Sequence, residues 1–257
     1  MQRVRGEARV VLGCGGLGDL RQQGSAKAML PRVDGDVPEV VFLNTAGGVT
    51  GGDRLEYGLT LGPGAAAVGA MQTAERAYRA SGGTGVVRTE LRVGRGGRLD
   101  WLPQEVIVFD GASLRRETEV VLGADASFLG VESVVLGRVA HGETVRELAF
   151  EDIRTIRRDG RLIHQEHLIL DGQTLLEPQA LGRNRAFSTL VWIDPRAGDA
   201  LCRVRGALGK DGHASAWDGR LVARLAAQKS ETLRRALIRA INAIRGVPMP
   251  RVWQCDD

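Results

Sequence analysis

The sequence has few cysteines, and their arrangement excludes two kinds of site. Only three occur among 257 residues, Cys14, Cys202 and Cys255. Their number is odd and they lie far apart, without the close pairs that ligate zinc or form a disulfide framework. The sequence therefore predicts neither a thiolate metal site nor a disulfide-bonded domain.

Long apolar runs are also missing. No stretch approaches the roughly 20 residues that cross a membrane, and the N-terminus has no apolar segment of signal-peptide length. We therefore expect a cytoplasmic protein without a membrane partner.

Aromatic residues make up only 4% of the chain, whereas glycine occurs 35 times. The core must then be built from Val, Leu, Ala and Ile around many turns, which favours short strands over long helices. Apolar and charged contents of 43% and 26% are ordinary for a soluble globular protein of this length.

Clustered charge is absent as well. The net charge of +4 comes from arginines that are dispersed along the chain and alternate with acidic residues. Nucleic-acid binding usually requires a basic stripe with interleaved aromatics. We therefore expect no nucleic-acid partner, and keep a basic RNA-binding module only as an alternative.

No enzyme motif survives inspection of its context. The chain lacks a G-x-S-x-G elbow, a Walker loop and H-E-x-x-H, and its four histidines are too scattered for a catalytic triad. Residues 13–18 fit the dinucleotide fingerprint G-x-G-x-x-G, but Gly24 and Pro31 interrupt the helix that it should open. An NAD(P)-binding oxidoreductase therefore stays an alternative to a non-catalytic protein, and the role of this glycine-rich run is left open.

What the chain does contain is a glycine corner around which the rest is organised. Two glycine pairs, Gly47-Gly48 and Gly51-Gly52, stand three residues apart and are followed by Asp53. Glycine lets the backbone take positive φ and pack where no side chain fits. We predict a stiff structural corner that fixes Asp53 directly before an alternating strand.

A repeat follows the corner. Gly62, Gly94 and Gly123 mark three units, each a strand, a glycine turn and a returning strand, with a period of about 30 residues. We interpret each unit as a hairpin that cannot bury its own apolar face and must stack on its neighbours. The pattern predicts a solenoid or flattened double sheet, and by itself does not exclude a β-sandwich.

The last third of the chain has mixed character. Residues 187–193 and 221–225 are predicted strands, and Asp194 begins a helix. A second helix carries one apolar stripe between a capping Ser230 and a terminating Gly246.

Acidic residues within or beside the strands are candidates for function. An acid in an apolar strand is costly unless it is paired, hydrated or functional. Oxygen donors without cysteine suit loose, exchangeable binding of a divalent ion. The alternative is a salt bridge to an arginine, with Arg54, Arg76, Arg79 and Arg138 as candidates. The acids are Asp53, Glu105, Asp110, Glu132, Glu143 and Glu166.

The segment His164-Gln165-Glu166-His167 looks like a ligand cluster. On a strand, His164, Glu166 and Leu168 share one face while His167 points to the other. One strand therefore cannot present both imidazoles to one metal, and we interpret both as surface or hydrogen-bonded histidines.

Three ordered blocks are specific enough to indicate a family: NTAGGVTGGD at 44–53, QTAERAYR at 72–79 and WLPQEVIVFDG at 101–111. They resemble the signature blocks of the urease accessory protein UreD, also called UreH, and the similarity runs nearly end to end. The positions that carry it are Thr45, Gly47, Gly48, Gly51, Gly52, Gln72, Arg76, Tyr78, Arg79, Trp101, Pro103, Gln104 and Gly111.

The resemblance implies a non-catalytic urease maturation factor. UreD proteins bind apo-urease and recruit UreF and the GTPase UreG, and indirectly UreE, so that nickel and carbon dioxide reach the urease active site. Nickel is then only in transit, no cofactor is permanently bound, and GTP belongs to UreG. The six acids become candidates to line a nickel passage, with Asp53, Glu132 and Glu166 foremost.

The resemblance also implies the fold: an irregular right-handed β-helix-like stack of short strands with two helices. We therefore predict a mainly β protein. Its β-stack body covers residues 1–185, and a small C-terminal β-α-β-α subdomain over 186–257 packs on that body within one structural unit.

Overall fold

The computed structural model of the chain describes residues 3–33, 35–138 and 141–254. These residues form seventeen strands and three α-helices, which confirms the mainly β prediction. The strands are β1 Arg5–Gly13, β2 Gly16–Gly24, β3 Ala26–Met29, β4 Glu39–Asn44, β5 Arg54–Leu61, β6 Ala66–Met71, β7 Glu75–Ala77, β8 Gly85–Val93, β9 Arg98–Leu102, β10 Val106–Val108, β11 Ala112–Leu122, β12 Ser127–Leu136, β13 Leu148–Arg158, β14 Arg161–Asp171, β15 Ala186–Ile193, β16 Gly212–Trp217 and β17 Arg220–Ala227. The helices are α1 Gly172–Leu176, α2 Leu201–Leu208 and α3 Ser230–Arg245.

Two sheets enclose the core. One has the order β14-β13-β11-β8-β5-β1-β2, and the other runs β16-β17-β15-β12-β9-β6-β4-β3, with β10 and β7 paired beside it. Within each turn the chain passes from one sheet to the other, as from β5 to β6. Equivalent strands of neighbouring turns pair in parallel, as β5 with β8 and β6 with β9. The predicted stack is confirmed as a solenoid-like β-helix of about four turns.

The hairpin interpretation of the repeat is wrong. The two strands of each unit lie in different sheets and pair with the next unit instead of with each other. Each glycine turn is therefore an arch between sheets. The two strands separate into different sheets because each has an apolar face. Folding one strand over the other buries both faces against each other.

The arches explain why glycine recurs at their start. The Gly94 N–H donates to the carbonyl of Leu61 in the preceding turn at 2.8 Å. A Cβ on Gly94 would lie 2.6 Å from the nitrogen of Pro63, and one on Gly123 would lie 2.8 Å from the nitrogen of Arg95. Stacked arches leave no room for a side chain at these positions.

The main core fills the space between the sheets with aliphatic side chains and a small aromatic group. Phe42 packs edge-on against Tyr57 and Trp101, with ring centroids 5.5 and 5.9 Å apart. Leu59 and Leu99 are fully buried beside them. Few aromatics suffice because two flat sheets interdigitate through Leu, Val and Ala.

The C-terminal strands continue the larger sheet. β15 pairs antiparallel with β12, β17 with β15, and β16 with β17. Helices α2 and α3 cover the outer face of this sheet through a second apolar core that includes Val204, Leu208, Leu237 and Ile241. The division at residue 185 stays a prediction.

The predicted β-α-β-α subdomain needs three corrections. It lacked β16, an edge strand that pairs antiparallel with β17. Asp194 caps a short 3-10 turn at Pro195–Ala197, and the first of the two long helices begins later, at Leu201. Ser230 is the first residue of α3, after Lys229 at the cap position.

The N-terminal glycine run lies in a hairpin. β1 and β2 pair antiparallel around Cys14 and Gly15, so no helix follows the run and it is not a dinucleotide fingerprint. Cys14 and Cys202 are unpaired and exposed, while Cys255 lies outside the described residues. Within the described part of the chain, no helix is both long and apolar enough to cross a membrane.

Candidate functional site

The three signature blocks meet at one corner of the stack. Val49 of the first block bridges in parallel to Ala77 in β7 of the second. β7 in turn pairs in parallel with β10 of the third block. The blocks therefore form a short third wall, one layer from each of three successive turns.

The four corner glycines are needed for two different reasons. Gly47 and Gly52 have φ of +75° and +87°, which side chains rarely adopt. A Cβ on Gly48 would lie 2.2 Å from the ring of Tyr78, and one on Gly51 would lie 2.4 Å from the carbonyl of Gly82. Gly47 and Gly52 are therefore needed for their backbone conformation. Gly48 and Gly51 are needed because neighbouring atoms leave no space for a side chain.

The remaining signature residues tie the blocks together. Tyr78 Oη and Arg76 Nη1 donate to the Gly47 carbonyl at 3.1 and 3.4 Å. A Cβ on Gly111 would meet the guanidinium of Arg79. The others also make structural contacts. Thr45 Oγ1 donates a hydrogen bond to the Ser25 carbonyl, and the Gln72 backbone N–H donates to the Phe42 carbonyl. Gln104 Nε2 donates to the Val252 carbonyl. Trp101 is buried, and Pro103 directly follows β9.

Adding one methyl group at the glycine corner should destabilise the fold. We expect Gly51→Ala to lower the free energy of unfolding by about 1–3 kcal/mol, because its Cβ would overlap two backbone carbonyls. Gly13→Ala is the control, since a Cβ there has no atom within 4 Å. Urea unfolding of both variants measures the effect, and equal stability would show that the corner tolerates a side chain.

Asp53 anchors backbone. Its two carboxylate oxygens accept from the backbone N–H groups of Val4, at 2.8 Å, and Thr50, at 2.9 Å. The side chain is buried, with 3% of the residue exposed. It therefore joins the start of β1 to the glycine corner, away from the other acids.

Asp110 and Glu143 lie together and also hold backbone. Asp110 accepts from the N–H groups of Arg146 and Glu147, which lower its pKa, and forms an ion pair with Arg79. Glu143 binds Arg138 at 3.0 Å. Two of the four candidate arginines, Arg79 and Arg138, therefore form ion pairs with these acids, as the alternative interpretation allowed.

The other two candidate arginines do not pair with the predicted acids. In the described ranges, neither Arg54 nor Arg76 forms a salt bridge to any of the six acids. Glu105 lies apart from the other acids, 3.7 Å from Arg234.

Glu132 and Glu166 share one cavity. It has a volume of about 700 Å³ and lies between β13 and β14 of one sheet and β15 to β17 of the other. Asp152 lines it as well. Two of the six predicted acids are thus brought together, with a third carboxylate that the sequence analysis missed.

The inner wall of the cavity is a buried ion triad. Arg116 binds Asp152 through two hydrogen bonds of 3.0 and 2.9 Å and contacts Glu132 at 2.8 Å. Burial raises the pKa of Glu132 despite Arg116. Burial also raises the pKa of Asp152, but Arg116 outweighs it and the net pKa is lowered.

Nearer the opening, Glu166 is held by two arginines. It contacts Arg154 at 3.0 Å and Arg224 at 2.6 Å. Burial alone would raise its pKa, yet His164 and the two arginines lower it to about 2. The carboxylate is therefore ionised at neutral pH.

A small void continues inward from this cavity. Its volume is about 20 Å³, and Glu132 and Arg154 line both spaces. Thr118, Trp101 and His164 also contribute to its lining, but the surface that faces the void is almost entirely apolar. Apolar voids of this kind stay dry.

The predicted faces of β14 are confirmed. His164, Glu166 and Leu168 point inward, whereas His167 lies outside and contacts Glu151 at 2.8 Å. His167 fits the interpretation as a surface or hydrogen-bonded residue, whereas His164 is not a surface residue. Its side chain is only 8% exposed, and Nε2 has no hydrogen-bond partner.

Sequence reasoning missed most of the cationic half of the site. Arg116 occupies an inward position of the strict alternation in β11, and that pattern could have marked it. Glu75, inside the second block, was also missed. Burial raises its pKa to about 7, while Asn44 donates to it.

In the part of the chain that the structure describes, no three His, Cys, Asp or Glu side chains converge as a metal cage. The cavity instead offers paired carboxylates that an entering cation would have to share with arginine.

Comparison with known proteins decides the family. The sequence model of "UreD urease accessory protein" matches residues 4–254. The chain belongs to the UreD family of urease accessory proteins. It is 52% identical to the urease accessory protein UreD of Dinoroseobacter shibae, over 99% of this chain and 93% of that protein. The UreD proteins of Paracoccus denitrificans and Cereibacter sphaeroides are 50% and 52% identical over 99% of this chain, covering 93% and 96% of their own lengths.

This family membership confirms the resemblance carried by the three blocks. The similarity spans nearly the whole chain, so it includes both the signature corner and the strands that form the cavity.

Proposed function

We propose that this chain is a non-catalytic factor of urease maturation that acts in the cytoplasm. It binds apo-urease together with UreF and the GTPase UreG and lets nickel pass toward the urease active site. Family membership supports the maturation role. The observation that carries the nickel passage is the cavity in which Glu132 and Glu166 meet.

The charges of the cavity support transit rather than storage. Glu132 and Glu166 already pair with arginines, so a divalent cation gains little by displacing those partners. Weak binding is what a passage needs, because each donor must release the ion again.

The six acids differ in their contacts, and we assign them different roles accordingly. Glu132 and Glu166 line the passage. A passage role for the other four stays a prediction. Asp53, Asp110 and Glu143 accept hydrogen bonds from backbone N–H groups. Glu105, between β9 and β10, lies 3.7 Å from Arg234 of α3.

We expect the isolated chain to be poorly soluble and to be rescued by co-expressed UreF. All nine residues of edge strand β2 are exposed, including Leu17 and Leu20. Unpaired strand edges promote association unless another protein covers them. The soluble fraction, measured with UreF and with an unrelated control protein, tests this, and a monodisperse monomer at high concentration would contradict it.

A pull-down tests the assembly directly. The tagged full chain is co-expressed with the urease subunits, UreF and UreG, and the recovered proteins are quantified. We expect urease and UreF to be retained. Recovery of the chain alone, under conditions where it is folded, would refute the proposed function.

A further inference from the structure

The smaller sheet ends in β2, and this edge strand extends beyond the core. β2 pairs with β1 on one side, and within the described residues no strand pairs with its other side. Leu17 and Leu20 lie opposite Leu12 and Val10, so their side chains are on the core face of the sheet. They are nevertheless 52% and 37% exposed, because the facing sheet ends in β3, a strand of only four residues. An apolar overhang on an open strand edge is a surface for association.

The charges of β2 are arranged symmetrically about its central residue. The strand runs from Gly16 to Gly24, so Leu20 is its midpoint, with Asp19 on one side and Arg21 on the other. When two copies of the strand are aligned antiparallel about Leu20, Asp19 of each copy lies directly opposite Arg21 of the other. Opposite charges in directly opposed positions stabilise a strand pair. The strand is therefore complementary to itself.

We propose that β2 is a homodimer interface, in which the strands of two copies pair antiparallel about a two-fold axis at Leu20. Such a contact is closed, because both copies use the same surface. The two Leu20 side chains meet at the axis, and the smaller sheets of the two copies join into one. The inference goes beyond the proposed function, since it requires neither nickel nor urease. It gives the association expected of the isolated chain a defined geometry.

Both charges are available for this contact. Asp19 has no ion pair among the residues that the structure describes. Arg21 contacts Glu7 of β1 at 3.1 Å, yet its side chain is 62% exposed. Glu7 also binds Arg9 at 2.6 Å, so it keeps a counter-charge when Arg21 turns to the second copy.

The opposite edge of the same sheet does not offer this complementarity. Its last strand, β14, runs from Arg161 to Asp171 and has Glu166 at its midpoint. The same two-fold alignment would set two carboxylates directly opposite each other, which is destabilising. Two-fold pairing through the strand centre therefore favours the β2 end of the sheet.

A β-bulge limits the strength of the contact. The register of β1 with β2 shifts between Val11 and Leu12, which leaves Gly18 as an extra residue in β2. Bulges bend a strand and interrupt regular pairing. The contact between copies is therefore centred on Leu20 and is weaker towards the strand ends. We expect a dimer that another partner of the chain can displace.

Disulfide cross-linking in a cell lysate tests the geometry and does not require a soluble isolated chain. In a chain whose three native cysteines are replaced by serine, Leu20→Cys brings two thiols together at the axis. Opposed residues of antiparallel strands have Cα atoms about 4.5–5.5 Å apart, which is within the range of a disulfide. We expect Leu20→Cys to give a covalent dimer after mild oxidation.

Gln23→Cys is the matched control, because it lies on the same exposed strand. In the proposed register Gln23 lies opposite Leu17 of the second copy, so it is about 20 Å from the second Gln23. We expect little covalent dimer from this variant.

Charge exchange in the Leu20→Cys chain tests the register. Asp19→Arg or Arg21→Asp alone sets like charges opposite each other, and we expect either change to reduce the linked fraction about tenfold. Co-expression of the two variants restores opposite charges at both positions. Cross-links between them should therefore return to the level of the Leu20→Cys chain. Two chains that had merely lost their fold would not rescue each other.

Three results would overturn the proposal. Equal cross-linking of Leu20→Cys and Gln23→Cys would indicate unspecific association. Single charge variants that link as well as the Leu20→Cys chain would refute the register. A Leu20→Cys chain that links only to a different protein would assign the β2 edge to that protein instead of to a second copy.

Discussion

Replacing Arg116 with methionine should lower the free energy of unfolding by about 3–5 kcal/mol, because two buried carboxylates would lose their shared counter-charge. Arg116, Glu132 and Asp152 are 5%, 8% and 1% exposed, so water from the cavity replaces only a small part of the lost contacts. The deficit should shrink as the pH falls through the lowered pKa of Asp152, since a protonated carboxyl no longer needs the guanidinium.

Urea unfolding measures this effect against a surface control. Arg88→Met removes a pair with Glu117 in which the arginine side chain is 53% exposed, and such pairs contribute about 0–1 kcal/mol. Glu132→Gln should also be mild, because Arg116 keeps its two hydrogen bonds to Asp152. If Arg116→Met and Arg88→Met were equally stable, the triad would not be a buried ion network.

Removing the negative charge of Glu166 should slow urease activation about tenfold, equivalent to about 1.4 kcal/mol on the barrier to nickel transfer. Glu166→Gln keeps the shape of the side chain but withdraws an oxygen donor of the cavity. Assembly with UreF, UreG and apo-urease should be unchanged, because Glu166 is only 11% exposed and faces the interior.

The matched control is Glu119→Gln, on the outward face of β11. The time course of urease activation at limiting nickel gives the comparison, with complex recovery measured in parallel. We expect the control to activate urease at the rate of the unaltered chain. Equal rates for the two variants would remove Glu166 from the passage.

The strands and the glycine turns could be predicted because their signals are local, whereas the choice of a stack over a β-sandwich came from the family resemblance. Alternation along β5 and β8 and the glycines at the arches are visible within a few residues. The pairing partners are not local. A strand that turns back can pair with its predecessor or cross to a second sheet, and here burial of both apolar faces selects the crossing.

The candidate site was predictable only in part for the same reason. The alternation of side chains along a strand predicted that His164 and Glu166 share one face. The apolar strand around Glu132 indicated that this acid is paired, hydrated or functional. Its partner Arg116 lies directly opposite Asp152 in the register of β11 with β13, 36 residues apart in sequence. No single segment contains that pairing.

For Asp53, the position could be predicted from the sequence but the binding partners could not. Its position after the glycine corner was predicted, but a sequence does not distinguish a carboxylate that binds a cation from one that binds two N–H groups. The hydrogen bonds to Val4 and Thr50 settle its contacts. They depend on β1 lying beside β5, a parallel pairing that brings the chain start to the corner.

Nickel content of co-purified urease tests the interior passage most directly. Complexes are assembled with the unaltered chain, with the double variant Glu132→Gln/Glu166→Gln, or with Glu119→Gln, and nickel per urease is divided by complex recovery. We predict full recovery in all three and a lower nickel content with the double variant alone. A parallel fall of nickel and recovery, or unchanged nickel, would contradict passage through the cavity.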